Sequence, residues 1–127
     1  MESRAFLDAH VLLWLYAGED KKFSPAAKEK IENSSLWVSP ISLLEIDYLH
    51  EIKRFDHTST ALFQDLDTRI DLKTANDVFY DIIHLASSIH WTRDVFDRIL
   101  IAHATLHRAS LVTKDEKIRA HYKKAVW

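Results

Sequence analysis

Three short apolar runs, Ala5-Phe6-Leu7, Leu36-Trp37-Val38 and Leu111-Val112-Thr113, are separated by stretches in which apolar residues return at helical spacing. Short apolar runs bounded by polar residues read as buried strands. Ser24-Pro25 and Ser39-Pro40 each place a capping serine before a proline whose backbone angle is pre-set for a first helical turn. After Ser39-Pro40, the residues Ile41, Leu44, Tyr48 and Ile52 form a stripe expected to face the core. Further helices are expected from about Val11, near residues 59–67, near 75–87, from about 95 to 107, and over 116–122. Strands alternating with helices imply an α/β fold with a mainly parallel sheet.

The 127 residues suit one domain, spanning 1–127. A chain of this size buries roughly two-thirds of its unfolded surface, enough for a core without disulfide or metal. It has no cysteine, which excludes disulfides, thiolate catalysis and cysteine-based zinc sites and suits a reducing cytoplasm. The apolar start is broken by Asp8 and His10 and lacks a small-residue cleavage site, so it reads as a strand entering a helix rather than a signal peptide. No run approaches a membrane span. A single glycine disfavours Gly-rich phosphate loops, and no Walker or dinucleotide motif is present. The net charge of −2 argues against a binder that holds nucleic acid by charge alone.

Among the acidic residues, position is informative. Asp8 ends the first expected strand and Asp115 lies just past the last, and in open parallel sheets ligands bind at the carboxyl ends of strands. Either could equally cap the helix that follows it. Glu45 sits within the stripe Ile41, Leu44, Tyr48 and Ile52, where a charge is costly unless paired or coordinated. A capping box, Ser42-Leu43-Leu44-Glu45, is the competing account, but Ser39-Pro40 is the better helix start and leaves Glu45 beyond capping range. Asp97 leads the apolar face of Leu100, Ile101 and Ala104, and also suits the helix dipole. Asp94, three residues earlier, reads as a structural N-cap or a support for Asp97. In an α/β fold these four positions can converge at one edge of the sheet. Clustered carboxylates repel, and a divalent cation removes that problem. All-oxygen donors favour Mg²⁺, or Mn²⁺ in its place. A hydroxyl from Thr113 or Ser39 is available to hold a water or a carboxylate, and His10 lies beside Asp8 in reach of substrate.

At these residues the chain resembles the PIN-domain family, and more narrowly the VapC-type toxins of bacterial and archaeal toxin–antitoxin pairs. The matching stretches are FLDAHVLLW (6–14), VSPISLLEI (38–46), RDVFDRILIAHA (93–104) and LVTKDEKI (111–118). Their order and separation also match, over nearly the whole chain. The third stretch is the most specific, with Val95 in place of a proline. Ala9 stands where threonine is usual, and the glycine that usually precedes the last strand is absent. The resemblance implies a three-layer PIN-like α/β fold and metal-dependent endonucleolytic cleavage of RNA, arresting translation and growth. By matching position, Asp8, Glu45, Asp97 and Asp115 would form the acidic metal site. Asp8 and Asp97 would be direct ligands, while Glu45 and Asp115 would complete the cage, bind waters or hold a second ion. It also implies a homodimer, and an antitoxin whose arm wraps across the toxin.

Other patterns carry less. His103 and His107, four apart on one expected helix, have zinc-compatible spacing, but no H-E-x-x-H is present and a helix-surface or dimer contact is the plainer reading. Arg93 and Arg98 read as surface or salt-bridged. Trp14, Trp37, Trp91 and Trp127 are core candidates, with Trp14 also suited to a partner surface. The main alternative function is a PIN-fold binding module with weak or no catalysis, which Ala9 makes conceivable. An aspartyl-phosphate phosphatase would need an acid where His10 stands. A receiver domain finds a match only in Lys114, and a flap nuclease needs a longer chain.

Overall fold

The strand entered first becomes the middle of the sheet. β1 (Ser3–Leu7) pairs in parallel with β2 (Ser34–Val38) on one side and with β4 (Ser110–Val112) on the other. Two-residue strands, β3 (Lys73–Thr74) and β5 (Ala125–Val126), extend the two edges. The order β3-β2-β1-β4-β5 is wholly parallel, as the alternation of strands and helices implies. The computed structural model describes residues 3–127; Met1 and Glu2 lie outside the described residues.

Among the described residues, seven α-helices connect these strands: α1 (Ala9–Ala17), α2 (Pro25–Glu32), α3 (Pro40–Glu51), α4 (Ser59–Ile70), α5 (Phe79–Ala86), α6 (Val95–Leu106) and α7 (Glu116–His121). Ser24 and Ser39 cap α2 and α3, each with proline at the first position, as their sequence signatures require. Gly18, the sole glycine, ends α1 at φ 70°, a left-handed conformation costly for other residues. No helix among the described residues is long and apolar enough to cross a membrane.

Alternation along β1 divides the core into two. Ala5 and Leu7 point to one face, where Val11 and Leu12 of α1, Ala27 of α2 and Leu62 and Leu66 of α4 cover them. Phe6 points to the other face, against Leu100, Ile101 and Ala104 of α6 and Ile118 of α7. Helices therefore clothe both faces of the sheet, the three-layer arrangement that a buried parallel sheet needs. Each large side chain fully buried here contributes about 1.5–3 kcal/mol.

Three expectations need correction. α5 begins at Phe79, not near 75, because the Ala75 N–H donates to the Val38 carbonyl at 3.0 Å and continues the sheet pairing. Of the stripe Ile41, Leu44, Tyr48 and Ile52, only Ile41 packs against the core; Leu44 is 57 % exposed and Tyr48 and Ile52 are also exposed. α3 buries Ser42 and Ile46 instead, where it packs on α1, α4 and α6. This helix is apolar around much of its circumference, so spacing alone does not select the inward face. None of the four tryptophans is fully buried, although all four pack against the core; Trp14 meets Phe23 edge-on and Trp127 lies tilted against it.

Candidate active site

The chain leaves β1 toward β2 and β3, then returns to lay β4 on the other side of β1. Such a reversal opens a crevice at the carboxyl ends of the strands. Asp8 stands there. Its N–H donates to the Val112 carbonyl at 3.1 Å, fixing the end of β1 to β4. The residue is 9 % exposed. Oδ1 accepts from the Ala9 N–H at 2.7 Å and Oδ2 from the Thr113 hydroxyl at 2.6 Å. A carboxylate has about four lone-pair sites, so each oxygen keeps one.

Thr113 ties two acids together. Its hydroxyl oxygen also accepts from the Asp115 N–H at 3.1 Å, and Asp115 caps α7 by accepting from the Ile118 N–H at 2.9 Å. Asp97 lies in the first turn of α6, whose N-cap Asp94 accepts from the Asp97 N–H at 3.2 Å. The Asp94 N–H in turn donates to the Thr92 hydroxyl. Capping and clustering are thus not alternatives: Asp8 and Asp115 cap their helices while their side chains stand at the crevice. Glu45 is half-buried in the second turn of α3.

The acids feel one another. Glu45 is pushed up to about 7, first by burial, then by the charges of Asp8, Asp97 and Asp94. Asp97 is pushed up to about 7, first by burial, then by Asp94, Asp8 and Asp115, with Lys117 opposing. Burial raises Asp8 as well; the Thr113 and Ala9 hydrogen bonds and His10 oppose it, and Asp115 adds to it. The structure therefore brings Asp8, Glu45, Asp97 and Asp115 into one field, with Asp94 at its border.

The donor set is all oxygen and carries uncompensated negative charge. Ser42, one turn before Glu45 on the same side of α3, is 1 % exposed, and its hydroxyl finds no hydrogen-bond partner among the described residues. In sequence, Ser42 is marked only by its place in the S-x-x-E pattern. The crowded, all-oxygen carboxylate set fits a hard divalent cation.

The remaining candidates lie elsewhere or act otherwise. The Ser39 hydroxyl pairs with His103 Nδ1 at 2.8 Å rather than with an acid. His103 is 4 % exposed, which corrects the helix-surface reading. Arg98 donates to the Ala86 carbonyl at the end of α5, while Arg93 is exposed. Exposed His10 is near enough to Asp8 to favour its charged form. Ala9 is fully buried, and the bond it gives Asp8 comes from its backbone, which a threonine would supply equally. A cleft of about 280 Å³ opens between α3, α5 and α6, lined by Ile41, Leu44, Phe79 and His103 among others; none of the four acids lines it.

Comparison with known proteins places this geometry in context. A family model described as PIN domain matches residues 5–124. The chain is 33 % identical over 119 residues to Ribonuclease VapC22 of Mycobacterium tuberculosis, covering 91 % of this chain and 89 % of that protein. A toxin–antitoxin complex from Klebsiella pneumoniae contains a chain of the same fold, with a TM-score of 0.62 and 19 % identity over 97 % of this chain and 96 % of that one. VapBC2 from Rickettsia felis, bound to a DNA fragment from its promoter, gives a TM-score of 0.69 at 14 % identity, covering 98 % and 99 %.

Proposed function

The chain belongs to the PIN-domain family, and from that premise we propose that it is a Mg²⁺-dependent endoribonuclease, the toxin of a toxin–antitoxin pair. The observation that carries the reading is the mutual charge field of Asp8, Glu45, Asp97 and Asp115 at the carboxyl ends of β1 and β4. The name of the Mycobacterium tuberculosis relative supports RNA as substrate. The titles of the two structural neighbours support an antitoxin partner, and arrest of translation would be the cellular outcome.

Asp8 and Asp97 would hold Mg²⁺, or Mn²⁺ in its place, with Glu45 and Asp115 completing the set. An ion bound there supplies an acidified water and offsets charge developing on a phosphodiester. The chain's own residues do the rest. Thr113 and the Ala9 N–H fix the Asp8 carboxylate, and Asp94 anchors the turn that carries Asp97. Lys117 puts positive charge beside Asp97, and His10 stands beside Asp8, where a phosphate must approach. With a net charge of −2, substrate choice rests on RNA shape rather than general affinity.

Exposed apolar side chains on α3 (Leu44, Tyr48, Ile52) and at the start of α5 (Val78, Phe79, Tyr80) supply surface of the kind that an antitoxin or a second copy covers. Ala9 does not favour the non-catalytic alternative, because the Asp8 carboxylate is held without a side chain at that position.

Antitoxin-free protein incubated with structured RNAs should give discrete cuts with Mg²⁺ or Mn²⁺ and none with EDTA. Cutting that persists in EDTA, or a folded protein that cuts no cellular RNA with either ion, would overturn the assignment.

A further inference from the structure

A second cluster of coordinating groups lies away from the acids. Asp77, in the irregular segment between β3 and α5, presents one oxygen to two imidazoles of α6. Asp77 Oδ2 is 2.7 Å from His103 Nε2 and 2.6 Å from His107 Nε2. The three ligand atoms lie within 4.8 Å of one another. Their side chains are 23, 5 and 16 % exposed, so the cluster is walled on one side and open to water on the other. Both rings are fixed: Phe6 packs on them at 5.2 and 5.5 Å between centroids, and Trp37 stacks on His107 at 6.3 Å. None of the three residues contributes to the charge field at Asp8, Glu45 or Asp97.

We infer that Asp77, His103 and His107 form a zinc site, separate from the acidic cluster, that clasps the segment before α5 to the end of α6. Two imidazole nitrogens and one carboxylate oxygen make a borderline donor set that suits Zn²⁺ and poorly suits Mg²⁺ or Ca²⁺. The i, i+4 spacing sets both histidines on one helix face. Tetrahedral zinc with bonds of about 2.0–2.1 Å needs ligand atoms about 3.3 Å apart. Asp77 Oδ2 must therefore withdraw by about 0.6–0.7 Å from the two nitrogens, and Asp77 lies outside any helix or strand. Solvent supplies the fourth ligand.

The surrounding hydrogen bonds make the proposal specific. A zinc-bound imidazole coordinated through Nε2 carries its proton on Nδ1. His103 Nδ1 faces the Ser39 hydroxyl, which either donates or accepts, so His103 switches proton position without loss. His107 Nδ1 faces Arg4 Nη1 at 2.7 Å. Arginine only donates, so this contact holds His107 in the metal-free form, with Nε2–H directed at Asp77. Zinc must displace the exposed Arg4 side chain. Arg4 is thus a competitor of the ion, a role that a purely structural Asp–His latch would not give it.

The test uses tag-free, metal-stripped protein with excess Mg²⁺ to fill the acidic cluster. Zn²⁺ is titrated against a chelator of known affinity, and Co²⁺ is added as a visible-absorption probe of four-coordinate geometry. Wild type and Asp97→Asn should each bind about one zinc ion per chain, with the cobalt spectrum of a four-coordinate site. Asp77→Asn and His107→Gln should bind at least ~10-fold more weakly, and Arg4→Ala should bind several-fold more tightly. Asp77→Asn is partly exposed and outside the core, so its folding can be checked by melting. Absence of zinc binding in folded wild type overturns the site, as does binding that survives Asp77→Asn and His107→Gln but disappears in Asp97→Asn.

Discussion

Asp97→Asn is expected to lose RNA cleavage by at least on the order of 10²-fold while making the metal-free protein more stable at pH 8. The two effects share one cause. Burial and the charges of Asp94, Asp8 and Asp115 raise this carboxyl from 3.8 to about 7. The folded protein therefore binds the Asp97 proton more tightly than the unfolded chain does. That contribution to stability is fully present below about pH 4 and is lost as the pH rises through about 7. One pKa unit corresponds to about 1.4 kcal/mol. Solvent screening of a half-exposed group reduces the total to about 1–2 kcal/mol, or about 5 °C in melting temperature. Asparagine carries no charge at any of these values, so the variant should be more stable than wild type at pH 8 and equal to it at pH 4. Adding Mg²⁺ should raise the wild-type melting temperature and leave the variant nearly unmoved. A variant that cleaves normally, or one destabilised at pH 8, would show that Asp97 is a first-turn helix residue and nothing more.

Thr113→Val should cost about 1–3 kcal/mol at neutral pH and shift the acidic limb of the cleavage profile to higher pH. Valine keeps the shape of threonine and removes the hydroxyl. That hydroxyl donates to the buried Asp8 Oδ2 at 2.6 Å and accepts from the Asp115 N–H at 3.1 Å. Of the influences that favour charged Asp8, the Thr113 bond is the largest, so its removal raises an already raised group further. The stability loss should therefore grow as the pH rises and Asp8 ionises, and should shrink as the pH falls. Thr113→Ser should keep most of both properties. Denaturant unfolding at pH 5 and 8, with cleavage rates over the same range, measures this. A Thr113→Val protein with the wild-type pH profile would mean that the hydroxyl does not govern Asp8.

The strands β1, β2 and β4 and the helix starts at Ser24-Pro25 and Ser39-Pro40 were legible because each rests on local chemistry: apolar burial, or a cap within three residues. β3 and β5 were not, since two residues carry no periodicity and their pairing comes from strands distant in sequence. The convergence of Asp8 and Asp115 could be anticipated because a parallel sheet brings all carboxyl ends to one edge. Glu45 was singled out for a reason the structure supports only in part, since Leu44, Tyr48 and Ile52 of its stripe face outward while Glu45 itself is half-buried on a helix that packs on α6. Ser42 and Asp77 gave no signal. Ser42 is notable only for lacking a partner. Asp77 meets His103 across 26 residues of sequence, a distance at which spacing says nothing.

Calorimetric titration of Mg²⁺ into antitoxin-free protein at pH 6.5, in buffers of differing ionisation heat, tests the acidic centre most directly. Glu45 and Asp97, both raised to about 7, share part of their protons at that pH, and an ion that enters among them must expel that share. The expected result is release of about one proton per ion, lost with the binding itself in Asp97→Asn. Binding without proton release, or binding equally tight in Asp97→Asn, would contradict a metal centre built from these four acids.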